Sequence, residues 1–127
     1  MTTAEKLFAL ASAPGFERLP DSELAVIAGV VVERRFAPDE IVCEAGTILF
    51  RVYVVVRGSI VAAEGKAMPG ILGLGSVLFD IPAPAAVRAS AAEGALCLVI
   101  SKPHMFTIVH QCPSLLCGFL NVEGLSA

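Results

Sequence analysis

The stretch Phe36-Ala37-Pro38-Asp39-Glu40-Ile41-Val42, followed by Gly46, Tyr53-Val54-Val55 and Gly58, decides the fold. Pro38-Asp39 is turn chemistry between two β-branched runs. Gly46 and Gly58 stand where a sheet must turn sharply, and glycine accepts positive φ there without steric cost. Tyr53 to Val56 is a β-branched core strand. Working outward, short Val- and Ile-rich runs predict strands near Val31–Phe36, Ile41–Cys43, Val52–Val56, Ser59–Ala63, Gly70–Leu74, Val77–Phe79, Ala86–Ala89 and Leu96–Ile100. Turn residues separate them at Pro38-Asp39, Ala45-Gly46, Arg57-Gly58, Glu64-Gly65-Lys66 and Glu93-Gly94. Many short strands at close spacing mean a sandwich, jelly roll or barrel, and the expected form is a mainly β domain, an antiparallel roll or jelly roll, with flanking helices.

The flanks read as helices. Thr2 and Glu5 have the spacing of a capping box ahead of Lys6 to Leu10. Asp21 is expected to cap a second helix with Leu24, Ile27 and Ala28 on one face. Ser101 is expected to cap a third helix with Pro103 in its first turn, and Pro113 to open a fourth over Ser114 to Leu120. The expected plan is one domain: helices over 1–30, a β roll over 31–100 and helices over 101–127.

Bulk properties narrow the function. The chain has 127 residues, the size of one domain with a real core. It is 56% hydrophobic and 17% charged, with mean hydropathy +0.79, which excludes disorder by composition. A net charge of −3 with scattered basic residues makes no case for nucleic-acid binding. The apolar run Leu24 to Val32 ends at Glu33-Arg34-Arg35 and is too short to span a bilayer. The N-terminus lacks a basic segment followed by an apolar core, so a cytoplasmic protein is expected. Cys43, Cys97, Cys112 and Cys117 are then expected to be reduced, buried thiols. Cys112, Cys117, His104 and His110 lack the short pairings of a metal site, and no cofactor is expected. No Ser-His-Asp order, metal motif or nucleotide loop supports an enzyme. A lone pairing of Asp80 with His104 or His110 is more simply structural.

The quoted stretch resembles the first half of the cyclic-nucleotide-binding domain family, which includes the sensor domains of the catabolite activator protein and of cyclic-nucleotide-gated channels. Phe16, Leu19-Pro20, Leu24 and Ile27-Ala28 are similar to its N-terminal segment. Ala85-Ala86-Val87-Arg88-Ala89 and Leu96 to Ile100 are similar to its last strands, and Phe106 and Pro113 to the helices after them. The resemblance covers nearly the whole chain. One departure is Asp39, where the family usually has Gly.

The resemblance implies a ligand site built on a phosphate-binding cassette: Phe-Gly-Glu, a short helix, then Arg-Ser/Thr-Ala. There, helix N–H groups and the Arg neutralise a cyclic phosphate and the Glu accepts from the ribose hydroxyl. With Gly75 taken as the Gly before the cassette, Leu78-Phe79-Asp80 falls on Phe-Gly-Glu. With Ala85 taken as the cassette Ala, Ala83 falls on the Arg and Pro84 on the Ser/Thr. Only Ile81 to Pro84 separate Asp80 from Ala85, so no helix is expected between them. Pro82 and Pro84 also lack backbone donors. Ala86 is expected to look inward. Arg88, the nearest cation, is expected to point outward from the following strand.

Two functional readings follow. The first is a stand-alone regulatory or protein-interaction domain that does not bind cyclic AMP or cyclic GMP normally. The second is a sensor of a different small ligand, held in a vestigial pocket drawn from Leu78, Phe79, Asp80, Ala83, Ala85, Ala86 and Arg88. No output domain is expected beyond Ala127. Met105, Phe106, Ile108, Val109, Leu115, Leu116, Phe119 and Leu120 exceed what one helix face needs, so a homodimer or protein partner is expected at the C-terminal helices.

Overall fold

A computed structural model describes residues 1–13, 15–17, 19–62, 65, 70–111 and 113. Helix α1 (Thr3–Ala11) begins with the expected capping box. Thr2 accepts from the Glu5 backbone, and the Glu5 side chain accepts from the Thr2 backbone. Those bonds hold the Glu5 carboxyl below its usual pKa. Helix α2 (Asp21–Ala28) differs from expectation at its start: Pro20 is the N-cap and no side chain caps it. Asp21 occupies the first turn, where its charge favours the helix dipole.

The roll comprises β1 (Val32–Phe36), β2 (Ile41–Cys43), β3 (Arg51–Gly58), β4 (Ile60–Ala62), β5 (Ile71–Leu72), β6 (Val87–Ala89) and β7 (Ala95–Ser101). They form two antiparallel sheets, ordered β1-β7-β3-β5 and β2-β6-β4. The turns expected at Asp39, Gly46, Gly58 and Gly94 are present, and Glu64 and Lys66 of the fifth lie outside the described residues. Gly46 and Gly58 have φ of 83° and 70°. Asp39, in the usual glycine place, also takes positive φ, 65°. At Gly58 the need is absolute, because a Cβ would lie 2.2 Å from the Gly94 carbonyl oxygen.

One expected strand is a helix. Val77–Phe79 belongs to α3 (Leu74–Phe79), not to a strand, and the strand expected over Gly70–Leu74 shortens to Ile71–Leu72. Val77 and Leu78 carry β-favouring or neutral side chains, yet a helical turn lets Leu74 and Val77 face one core together. Helix α4 (Lys102–Gln111) follows β7 as expected, and the Ser101 hydroxyl accepts from the His104 backbone. The further helix expected over Ser114–Leu120, with Cys112, Cys117, Leu115, Leu116, Phe119 and Leu120, lies outside the described residues.

Two cores lie on opposite faces of the larger sheet. Val52, Val54, Leu98 and Ile100 pack with the helices: Leu10, Phe16, Leu24 and Ile27 from the N-terminal segment, Leu74 and Val77 from α3, and Met105 and Ile108 from α4. The alternate residues face the smaller sheet. There Cys97 packs with Phe36, Cys43, Leu49, Ile60, Leu72, Ala83, Val87 and Ala89, with Tyr53 and Val55 against them. Burying these chains drives assembly at about 25 cal/mol for each Å² of apolar surface removed from water.

Candidate functional site

The residues singled out from the sequence lie on α3, the loop after it, and β6. Gly73 precedes α3 with φ of 100°, and a Cβ there would lie 2.5 Å from the Arg51 carbonyl oxygen. Leu74, Gly75, Ser76 and Val77 are buried. The fully buried Ser76 hydroxyl donates to the Ile81 carbonyl, which ties the helix to the loop after it. Asp80 ends the helix with φ of 56°.

From that point the expected pocket residues separate. Leu78 packs against the helix-side core. Phe79 turns outward and is 54% exposed. Asp80 is also exposed and pairs with Lys102 of α4 at 3.1 Å. Ala83 is buried in the core between the sheets. Its N–H donates to the Thr47 carbonyl and its own carbonyl accepts from the Gly46 N–H, both at 2.8 Å. Ala85 and Ala86 are half-buried. The inward residues of β6 are Val87 and Ala89, not the expected Ala86, which precedes the strand. Arg88 points outward as expected, and its Nη1 donates to the Asp39 carbonyl at 3.4 Å.

No helix forms between Asp80 and Ala85, as the short spacing requires. Among the described residues, the short helix at the site is α3, which contains Phe79 and ends at its C-cap Asp80. Its position had no sequence signal beyond Gly73, because Leu74 to Phe79 carries no capping side chain.

No family model and no curated protein matches this chain. Solved structures do. Cyclic-AMP-bound PfPKA-R (141-441) superposes with a TM-score of 0.77 at 16% identity, over 97% of this chain and 46% of that one. The catabolite activator protein of Thermus thermophilus gives 0.70 at 17% identity, over 85% of this chain and 55% of that one. The regulatory subunit of a cAMP-independent protein kinase A from Trypanosoma cruzi, bound to guanosine, gives 0.73 at 16% identity, over 95% and 47%. The fold is that of a cyclic-nucleotide-binding domain. This chain spans about half the length of those structures' chains.

Cys43 and Cys97 are buried free thiols. Burial pushes the Cys97 thiol up to about 11 and raises Cys43 as well, so neither is a ready nucleophile. Among the described residues no three His, Cys, Asp or Glu side chains gather to hold a metal ion. Among them too, no helix is long and apolar enough to cross a membrane.

Proposed function

We propose that this chain is a regulatory or protein-interaction domain that uses the cyclic-nucleotide-binding fold without ordinary binding of cyclic AMP or cyclic GMP. The observation that carries the reading is Ala83. It is buried to 3% exposure in the core with Phe36, Leu49, Leu72 and Val87, and with Ala83 taken as the cassette Arg position, apolar packing fills the place of the phosphate's counter-charge. Arg88 does not supply the missing cation, since it points outward to Asp39. The helix adds to this. If α3 is taken as the cassette helix, Leu72-Gly73-Leu74 falls on Phe-Gly-Glu, and the buried Leu74 side chain has no oxygen to accept from a ribose.

Isothermal titration with cyclic AMP and cyclic GMP tests the reading. A charge-assisted phosphate contact is worth about 1.5–3 kcal/mol, so its loss together with the acceptor weakens binding at least about hundredfold. The expected result is no saturation at micromolar nucleotide, and micromolar affinity overturns it. The second reading, a sensor of a different small ligand, is supported by the guanosine bound to the Trypanosoma cruzi subunit, a nucleoside without the cyclic phosphate.

The protein acts in the cytoplasm as a homodimer or with a protein partner through its C-terminal helices. Within α4, Met105 and Ile108 are committed to the core, whereas Phe106 is 46% exposed. That leaves apolar surface of the kind interfaces use. Light scattering is expected to give a dimer that Phe119→Asp with Leu120→Asp dissociates. A wild type that stays monomeric at high micromolar concentration overturns the homodimer.

A further inference from the structure

Strand pairing opens a second concavity on the larger sheet, and no residue of α3 or β6 lines it. Tyr53 pairs with Val99, Val99 with Val32, and Arg51 with Ser101, so all five present one face. His104 joins them from the first turn of α4, where its backbone is fastened to the Ser101 hydroxyl. The result is a cleft of about 410 Å³ lined by these residues with Val30, Glu33 and Arg34. None of the seven residues expected from the cassette lines it.

The charges in this cleft are unevenly matched. Arg34 pairs with Glu40 at 3.1 Å and lies 4.6 Å over the Phe36 ring. The Glu33 carboxylate is taken by the Met1 ammonium at 3.2 Å. Among the described residues, Arg51 has no carboxylate partner, and neither the Tyr53 hydroxyl nor the His104 imidazole has a protein hydrogen-bond partner. Three donor-bearing side chains with unused capacity therefore ring an apolar floor of Val32, Val99 and the Tyr53 ring. Val32 is 64% exposed and Val99 only 9%, which places the deeper part of that floor at Val99. A site of this size suits a small molecule, and a guanidinium recognises carboxylate or phosphate oxygens through paired donors.

We propose that this cleft binds a small organic anion: a carboxylate or phosphate head group held by Arg51, with Tyr53 and His104 as further donors, on a flat apolar body lying against Val32 and Val99. It is separate from the cassette, so it stands whether or not a cyclic nucleotide binds there. The probes are phenyl phosphate, benzoate, benzyl alcohol and inorganic phosphate, titrated into the full ¹⁵N-labelled chain by NMR. Phenyl phosphate or benzoate is expected to give saturable shifts at Tyr53, Val99 and Ser101, and whichever binds tighter identifies the head group. Benzyl alcohol, without charge, and inorganic phosphate, without an apolar body, are each expected to bind at least about tenfold more weakly. Arg51→Gln is expected to weaken the tighter anion by about tenfold or more with an unchanged melting temperature, and Arg88→Gln to leave it unchanged. Absence of saturation by 10 mM probe (roughly the weak limit for a fragment of this size), equal binding by Arg51→Gln, equal binding of inorganic phosphate, or shifts confined to α3 and β6 would each overturn the proposal.

Discussion

The segment from Phe36 to Gly58 and the segment from Gly73 to Ala89 follow the same fold by different means. In the first, the residues that make the turns keep the geometry: Asp39, Gly46 and Gly58 all take positive φ, and Arg34 clamps Glu40 across the turn. In the second, the positions that the proposed reading gives to the cassette carry apolar side chains. Ala83 and Leu74 each sit in a core. Turn geometry is a backbone demand that few residue types satisfy, so changing it disturbs the whole roll. A phosphate contact is a demand of the ligand alone, so a chain that does not make it, as proposed here, is free to give the position to the core.

The largest test of that contrast is Ala83→Arg. If Ala83 were an idle remnant, restoring the cation would restore a site. Because Ala83 is buried between the sheets, the expected outcome is destabilisation by at least about 3 kcal/mol, from overpacking and an unpaired buried charge, with no gain of cyclic-nucleotide affinity. Chemical denaturation and titration of the variant measure both. A stable variant that binds cyclic AMP would reverse the comparison.

A middle-sized effect reports on the same core through pH. The folded Cys97 thiol titrates near 11, above its ordinary 9.0, because burial disfavours the thiolate. The unfolded thiol therefore ionises first. Stability is expected to be level below pH 9 and to fall between pH 9 and 11, by about 2 kcal/mol in all. Cys97→Ala is expected to remove most of that slope while lowering stability at neutral pH. An unchanged slope in the variant would assign it to other groups.

The smallest effect sharpens the first segment. Asp39 bears the left-handed backbone that the fold usually gives to glycine. Asp39→Gly relieves that strain but adds freedom to the unfolded chain, two terms of about 1 kcal/mol each with opposite sign. Thermal melts are expected to move by less than about 1 kcal/mol equivalent. A larger loss would mean that the Asp39 side chain, rather than its backbone, holds the turn against Arg88.

The sequence by itself determined the first two helices, the strands over 32–36, 41–43, 87–89 and 95–101, the turns at Asp39, Gly46, Gly58 and Gly94, and the fold class. Proline, glycine and aspartate mark backbone geometry locally, and Val-rich runs between them leave few arrangements. It also determined that Arg88 points outward and that no helix forms between Asp80 and Ala85, since both follow from short-range spacing. Only the tertiary structure decided that Val77–Phe79 is helical. Local propensity there favours a strand, and the helix exists because it lets Leu74 and Val77 enter the helix-side core together. It alone decided that Leu78, Phe79 and Ala83 part company, one to each core and one to the surface. The cleft around Arg51 was equally hidden. Its walls come from residues 30, 32–34, 51, 53, 99, 101 and 104, and only the cross-strand register of β1, β7 and β3 brings positions as distant as 32, 51, 53, 99 and 101 onto one face.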